Sequence, residues 1–430
     1  MNPIKSPIQF IKRVRKKRLI WKLLLELMLL SQRALAAVLS ALRISRRKNH
    51  RVSRRALVLE TTITSIGSLG DQAMVTSLVR LLAERGVNDV GIITFAAAYP
   101  WAELTAAPQA FSLKGFFNNL LAIWHFTSYD ELYYAPGDVL GGGYSERFVE
   151  RVVNLARSAH RVGVRVTFCG FSINAIPHPD ALRYLRLLPS EVRLCCRDAL
   201  SQQRLSHMLG RNVDLVADLA FLLRPDESTP TVHDAKAWAD QQRAEGRKIV
   251  GVNLNHRLLL EDPSLSLDDV IDRVSTILAK LAAERDVAFL FIPHDFRLEP
   301  INDVDVLRLL SEAMSRNGSF PIHLVERRCW AGEIKAICGA ADLVVSGRMH
   351  LAIASLGQAV PVVGVTYQGK FEGLMLQFNL KDNTFSLKSV LEGDQFYRAL
   401  LGHFDRCDDL KRQVHECLPA VLERSRNNVM

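Results

Sequence analysis

Short apolar runs alternate with helix-period segments from residue 56 to residue 365, and this alternation restricts the chain to an α/β architecture. Runs at 56–60, 90–95, 164–168, 192–196 and 213–216 form a first set. Runs at 249–254, 287–292, 322–325, 343–345 and 362–365 form a second. Strands separated by helices are joined by crossovers, which build mainly parallel sheets. At 430 residues the chain exceeds a usual single core, so two domains are expected. The boundaries read as a basic arm 1–55, an N-terminal Rossmann-like domain 56–224, a polar linker 225–246 with Pro225 and Pro230, a C-terminal Rossmann-like domain 247–384, and a helical tail 385–430. The tail is long enough to cross back onto the first domain.

The net charge of +10 is unevenly distributed. Residues 1–55 hold 16 Lys or Arg against one acid, Glu26, so the rest of the chain is mildly acidic. That argues against a whole-body nucleic-acid surface. Within the arm, residues 19–42 are strongly apolar but interrupted by Lys22, Glu26 and Arg33. The longest charge-free run falls short of the roughly 20 apolar residues a span needs. The arm therefore reads as an amphipathic helix lying on an anionic membrane surface. A helix packed on the body or on a partner subunit, or a true span, are the alternatives. Seven cysteines are scattered without metal-type spacing, as in a reducing compartment.

The densest chemistry lies in residues 340–373, AADLVVSGRMHLAIASLGQAVPVVGVTYQGKFEG. A strand ends at Ser346-Gly347, and Arg348, Met349 and His350 stand where a helix begins. Such a turn is a natural anion site. Arg348 offers a planar fork for carboxylate or phosphate, or pairs with a structural carboxylate. His350 can exchange a proton near neutral pH, or serve as a satisfied helix-start histidine.

Other strand ends add candidates. In SIGSLGDQ (65–72), Gly70 permits close backbone approach, and Asp71 either caps a helix or acts on a substrate hydroxyl. DVLGGG (138–143) reads as a strand ending in three glycines, with Gly142 and Gly143 close to a ligand. Residues 100–135 are irregular and aromatic-rich, lining a cleft or a core. Arg197 precedes Asp198 at a further strand end, as a ligand group or as half of a structural pair. His294 follows Pro293 and either faces the cleft or sits in a loop.

Taken in order, Gly67-Ser68-Leu69-Gly70-Asp71, Gly141-Gly142-Gly143, Arg197-Asp198 with Ser201, Asp218 with Phe221, and Ser346-Gly347-Arg348-Met349-His350 through Pro361, Tyr367 and Lys370 resemble the polysaccharide pyruvyl transferase family. The resemblance covers roughly residues 56–380 and is most specific in its C-terminal motif. It implies a GT-B-like fold of two Rossmann-like halves facing across a cleft. It also implies phosphoenolpyruvate as donor, a sugar diol on a surface-polysaccharide precursor as acceptor, and a pyruvate ketal and phosphate as products. Family roles in donor binding and catalysis map onto Arg197, Arg348, Met349 and His350. Ser68 and Gln72 depart from the Asn and Glu usual in the first loop.

The chemistry of the residues is consistent with that activity. Two guanidinium forks suit a donor with a carboxylate and a phosphate, His350 suits protonation of the methylene carbon, and Asp71 or His350 suits the base. Gly70, Gly142, Gly143, His294 and Lys370 complete the expected substrate contacts. No metal and no cofactor beyond the donor is expected. The expected partners are phosphoenolpyruvate, a saccharide acceptor that can be lipid-linked, and an anionic membrane surface, with no nucleic acid. The expected location is the cytoplasmic face of the membrane. Two other functions fit the same pattern: a nucleotide-sugar glycosyltransferase, with Glu372 near Lys370 as a ribose ligand, and a non-catalytic membrane-associated assembly protein.

Overall fold

A computed structural model describes residues 7–41, 54–60, 68–95, 109–113, 115–143, 145–260, 264–297, 301–366, 371–392 and 394–430. The first half comprises α1 (Pro7–Ala41), β1 (Arg55–Glu60), α2 (Leu69–Glu84), β2 (Asp89–Thr94), β3 (Gln109–Ser112), α3 (Phe116–Phe126), β4 (Glu131–Tyr134), α4 (Glu146–Arg161), β5 (Arg165–Phe171), α5 (Pro179–Leu185), β6 (Arg193–Cys196), α6 (Ala199–Leu209) and β7 (Asp214–Leu215). The second comprises α7 (Pro230–Ala244), β8 (Lys248–Asn253), α8 (Leu267–Glu284), β9 (Val287–Phe291), α9 (Asp303–Asn317), β10 (Ile322–Leu324), α10 (Ala331–Cys338), β11 (Leu343–Ser346), α11 (Met349–Leu356), β12 (Val362–Thr366), α12 (Glu372–Leu376), β13 (Thr384–Ser386), α13 (Leu387–Leu391), α14 (Gln395–Asp405) and α15 (Cys407–Arg426).

Each half is a parallel sheet flanked by helices. The orders are β3-β2-β1-β4-β5-β6-β7 and β10-β9-β8-β11-β12-β13. Both follow the doubly wound scheme, whose strand order reverses beside the first strand of each half. The reversals, β1 beside β4 and β8 beside β11, open a crevice at the carboxyl ends. The central strands β8, β9 and β11 are buried on both faces, as the continuous apolar runs require.

The halves share one core. Leu69 and Ala73 of α2, and Phe221 of the 3-10 turn Leu219–Leu222, cluster with Ile353, Leu374 and Phe378 of the second half. Buried Lys335 donates from Nζ to the Phe221 carbonyl across the join at 2.9 Å. The tail returns to the first half: Ser425 Oγ donates to the Asp218 carbonyl and Asn428 Nδ2 to the Ala217 carbonyl.

Three sequence expectations are corrected. The polar stretch 225–246 is largely a helix, α7, capped by Thr229 and burying Val232, Ala235 and Ala239. The apolar spacing at three and four residues outweighs its overall polarity. Residues 138–143 are no strand end but the 3-10 turn Val139–Gly141, with Gly142 left-handed at φ 77°. Within 100–135, the described residues form β3, α3 and β4, because packing selects short aromatic strands that alternation does not mark.

α1 lies along α3 and α4. Leu29, Gln32, Ala36 and Leu39 are buried. Gln32 Nε2 donates to the Asn119 carbonyl at 3.1 Å, and Asn154 Nδ2 donates to Gln32 Oε1 at 2.7 Å. Residues Lys22–Ala41 are, by length and composition, apolar enough to cross a membrane.

Candidate active site

Two helix N-termini meet where the sheets face each other. α2 begins at Ser68, its N-cap, and α11 begins at Arg348, its N-cap. Ser68 forms an isolated antiparallel bridge with Asp295, which follows β9 in the other half. Gln72 Oε1 accepts from the Ala331 amide at 2.6 Å. The start of α2 is thus fixed to the second half at two points, and its first-turn backbone N–H groups have no acceptor within the helix.

His350 stands at the centre. Its ring lies against Gly70, where a Cβ would come within 2.6 Å of His350 Cγ, so only glycine fits at that point of α2. His350 Nε2 is 3.6 Å from Asp218 Oδ2, close enough for an ion pair but beyond hydrogen-bond reach. This buried nitrogen has no hydrogen-bond partner among the described residues. The His294 ring stacks parallel to His350 at 6.5 Å.

Asp218 is the shared anion. It receives Arg197 Nη1 at 2.7 Å and the Ala220 amide at 2.8 Å. Arg197 Nη2 donates to Ser172 Oγ at 2.6 Å. Burial works to raise the Asp218 carboxyl, but His350, Arg197 and the Ala220 amide hold it well below the usual range. Asp71, in the first turn of α2, is shifted the other way. Burial raises it, against the Ser68 hydroxyl at 2.5 Å and the nearby His350 and Arg297 charges. The two carboxyls beside His350 are therefore pushed apart, which suits different proton roles.

Arg348 is occupied by the protein itself. It donates from Nη2 to Asp303 Oδ1 at 2.6 Å and from Nε to Asp303 Oδ2 at 3.2 Å, and lies 3.3 Å from Asp295. Asp303 is fully buried and also accepts from Asn253 Nδ2 and from the His294 and Asp295 amides. Asp295 in turn takes Arg297 bidentately. Arg348 thus ties β8, the β9 loop and α9 to the turn that carries His350. His294, buried beside this network, is pushed down to about 3, first by burial and then by the His350 and Arg348 charges. It is neutral at physiological pH.

The structure brings Gly70, Asp71, Arg197, His294, Arg348, Met349 and His350 to one junction. Met349 borders a cavity of about 10 Å³ with Arg197, Asp198 and Asp218. Asp198 caps α6 and packs against Gly373, where a Cβ would fall 2.7 Å from Asp198 Cβ. Gly142 is placed differently. A Cβ there would meet Ala181 and His178 at 2.8 Å, so it serves the packing of α5, and the space at Gly143 is open. Lys370 lies outside the described residues, as do Gly67 and Tyr367. Sequence reasoning missed Asp303 and Arg297 as members of the site. Asp303 opens α9, and no local pattern signals that its carboxylate would collect donors from three other segments.

The model of the polysaccharide pyruvyl transferase family matches residues 69–369, the main body of the chain. Similar solved structures include S. aureus MnaA in complex with UDP, at 11% identity and TM-score 0.54, covering 85% of this chain and 91% of that one. Another is the UDP-GlcNAc 2-epimerase of Neisseria meningitidis bound to UDP-GlcNAc, at 10% identity and TM-score 0.50, covering 86% and 98%. A third is the N-terminal domain of Candida albicans trehalose-6-phosphate phosphatase, at 11% identity and TM-score 0.50, covering 88% and 96%. At these identities the likeness shows the GT-B-like fold alone.

Proposed function

The chain belongs to the polysaccharide pyruvyl transferase family, and from that premise we propose that it transfers the enolpyruvyl group of phosphoenolpyruvate to a sugar diol of a surface-polysaccharide precursor. The observation that carries the reading is the buried His350 Nε2, which has no hydrogen-bond partner among the described residues and stands beside an ionised Asp218.

His350 donates a proton to the methylene carbon of the donor, leaving a cationic centre at C2. One sugar hydroxyl adds there and loses its proton, and the C2–O bond to phosphate breaks. The second hydroxyl closes the ketal with loss of its own proton. Asp71, with its raised carboxyl, is the base for a hydroxyl proton. Arg197 and the free amides at the start of α2 meet the donor charge. Gly70 makes room for the His350 ring, His294 buttresses that ring, and Met349 shapes the pocket wall. Arg348 positions the His350 turn through Asp303 and adds positive field, and Lys370 is a further substrate contact. Residues 1–55 place the enzyme at the cytoplasmic membrane face, beside lipid-linked acceptor.

The test is a thermal-shift titration with phosphoenolpyruvate beside UDP- and GDP-sugars, on wild type and His350→Asn, followed by phosphate release with a glycan acceptor. A ligand that binds only the folded state raises the melting temperature. A shift with phosphoenolpyruvate, and acceptor-dependent phosphate release lost in His350→Asn, is expected. A shift with nucleotide sugars alone would replace pyruvyl transfer with glycosyl transfer.

A further inference from the structure

α1 leaves one side uncovered: Leu23, Leu27, Leu30 and Val38 recur along it, with Leu27 54% and Leu30 57% exposed. Beside it, α3 exposes Phe117, Leu121 and Trp124 at helical spacing, with Phe117 78% exposed. These two helices pack on each other, so the two exposed apolar rows stand on neighbouring elements. Isolated exposed leucines are ordinary, but rows of them on adjoining helices mark a docking surface.

The charge around the patch indicates its partner. In the flanks of 19–42 the Lys, Arg, Asp and Glu residues are all basic, with seven Lys or Arg in residues 1–18 and seven more in 43–55. On the other flank of α1, Arg33 meets Arg157 and Arg161 of α4 around a cavity of about 430 Å³ that also includes His160. Arg157 is pushed below its ordinary value by burial, then by the Arg33 and Arg161 charges. Three guanidiniums held together at the rim of an apolar patch are the complement of phosphate groups.

We propose, building on the membrane reading above, that α1 and α3 lie flat on an anionic bilayer, with a phosphate-bearing lipid headgroup seated among Arg33, Arg157 and Arg161. α1 does not span. Drawing it into a bilayer would strip Leu29, Ala36 and Leu39 from the core and strand the buried Gln32–Asn154 and Gln32–Asn119 hydrogen bonds.

The full chain is co-sedimented with vesicles of phosphatidylcholine alone and of phosphatidylcholine with phosphatidylglycerol. Wild type is expected to bind only the anionic vesicles, and high salt to release it. Arg157→Gln/Arg161→Gln should weaken binding about five-fold per arginine removed. Leu27→Gln/Leu30→Gln/Phe117→Gln should abolish it, with circular dichroism melting and the phosphoenolpyruvate thermal shift unchanged. If wild type binds and both variants bind equally well, this face is rejected and the membrane reading survives. If wild type binds no vesicle, both fall. Resistance to alkaline carbonate extraction would replace flat docking with a span.

Discussion

Replacing Arg348 with alanine is expected to destabilise the protein, and not only to stop turnover. The guanidinium is bidentate to Asp303 and 3.3 Å from Asp295, and both carboxylates are buried. Removing one partner of a buried pair leaves an uncompensated charge, at a cost of about 3–5 kcal/mol. Asp303 keeps three other donors, Asn253 Nδ2 and two backbone amides, which places the cost toward the lower end. For a cooperative unit of 430 residues, with an unfolding entropy of about 2.1 cal/mol/K per residue, that corresponds to a fall in melting temperature of about 3–6 °C. Urea unfolding followed by circular dichroism, run beside the phosphate-release assay, separates the two effects. Arg348→Lys keeps the charge without the fork and should fall between. A double cycle with Asp303→Asn should return a coupling of about 1–3 kcal/mol. Arg348→Ala with stability within about 0.5 kcal/mol of wild type and activity lost would refute the reasoning, and would return Arg348 to a direct role on the donor.

Gly70→Ala should lower kcat about 100-fold by displacing the His350 ring, with little change in melting temperature; full activity would detach α2 from the catalytic geometry. His294 has a folded-state value of about 3, below its unfolded value of about 6.5, so protonation favours the unfolded chain between those limits. Stability should therefore fall as pH drops through that window, by about 2 kcal/mol at pH 5 from this group, and His294→Gln should flatten the urea-midpoint profile by that amount. Gln32→Ala takes the Gln32 partner from the Asn119 carbonyl and from Asn154 Nδ2 and should cost about 1–3 kcal/mol in the same assay; no loss would mean that α1 is not packed on the body.

Much of the frame was legible because its signals are local. Buried parallel strands need continuous apolar runs, so most core strands fall within a residue or two of the 56–60, 90–95, 249–254, 287–292, 343–345 and 362–365 runs. Residues 131–134, ELYY, escaped notice because a polar first residue and two tyrosines hide a strand whose every position is buried. α7 escaped because charged residues on its outer face dominate its composition.

What the sequence by itself determined is the α/β alternation, the family, and the residue types at the strand ends: Arg197, Arg348 and His350 stand where strand-to-helix turns must put them. Only the tertiary structure decided their partners. Asp218 joins Arg197 to His350 across the two halves, Gly70 supports His350 from a helix 280 positions earlier in the chain, and Asp303 claims Arg348. The reason is physical. Strand and helix formation follow from neighbouring residues, whereas the charge and proton state of a buried side chain follow from whatever the folded chain packs against it.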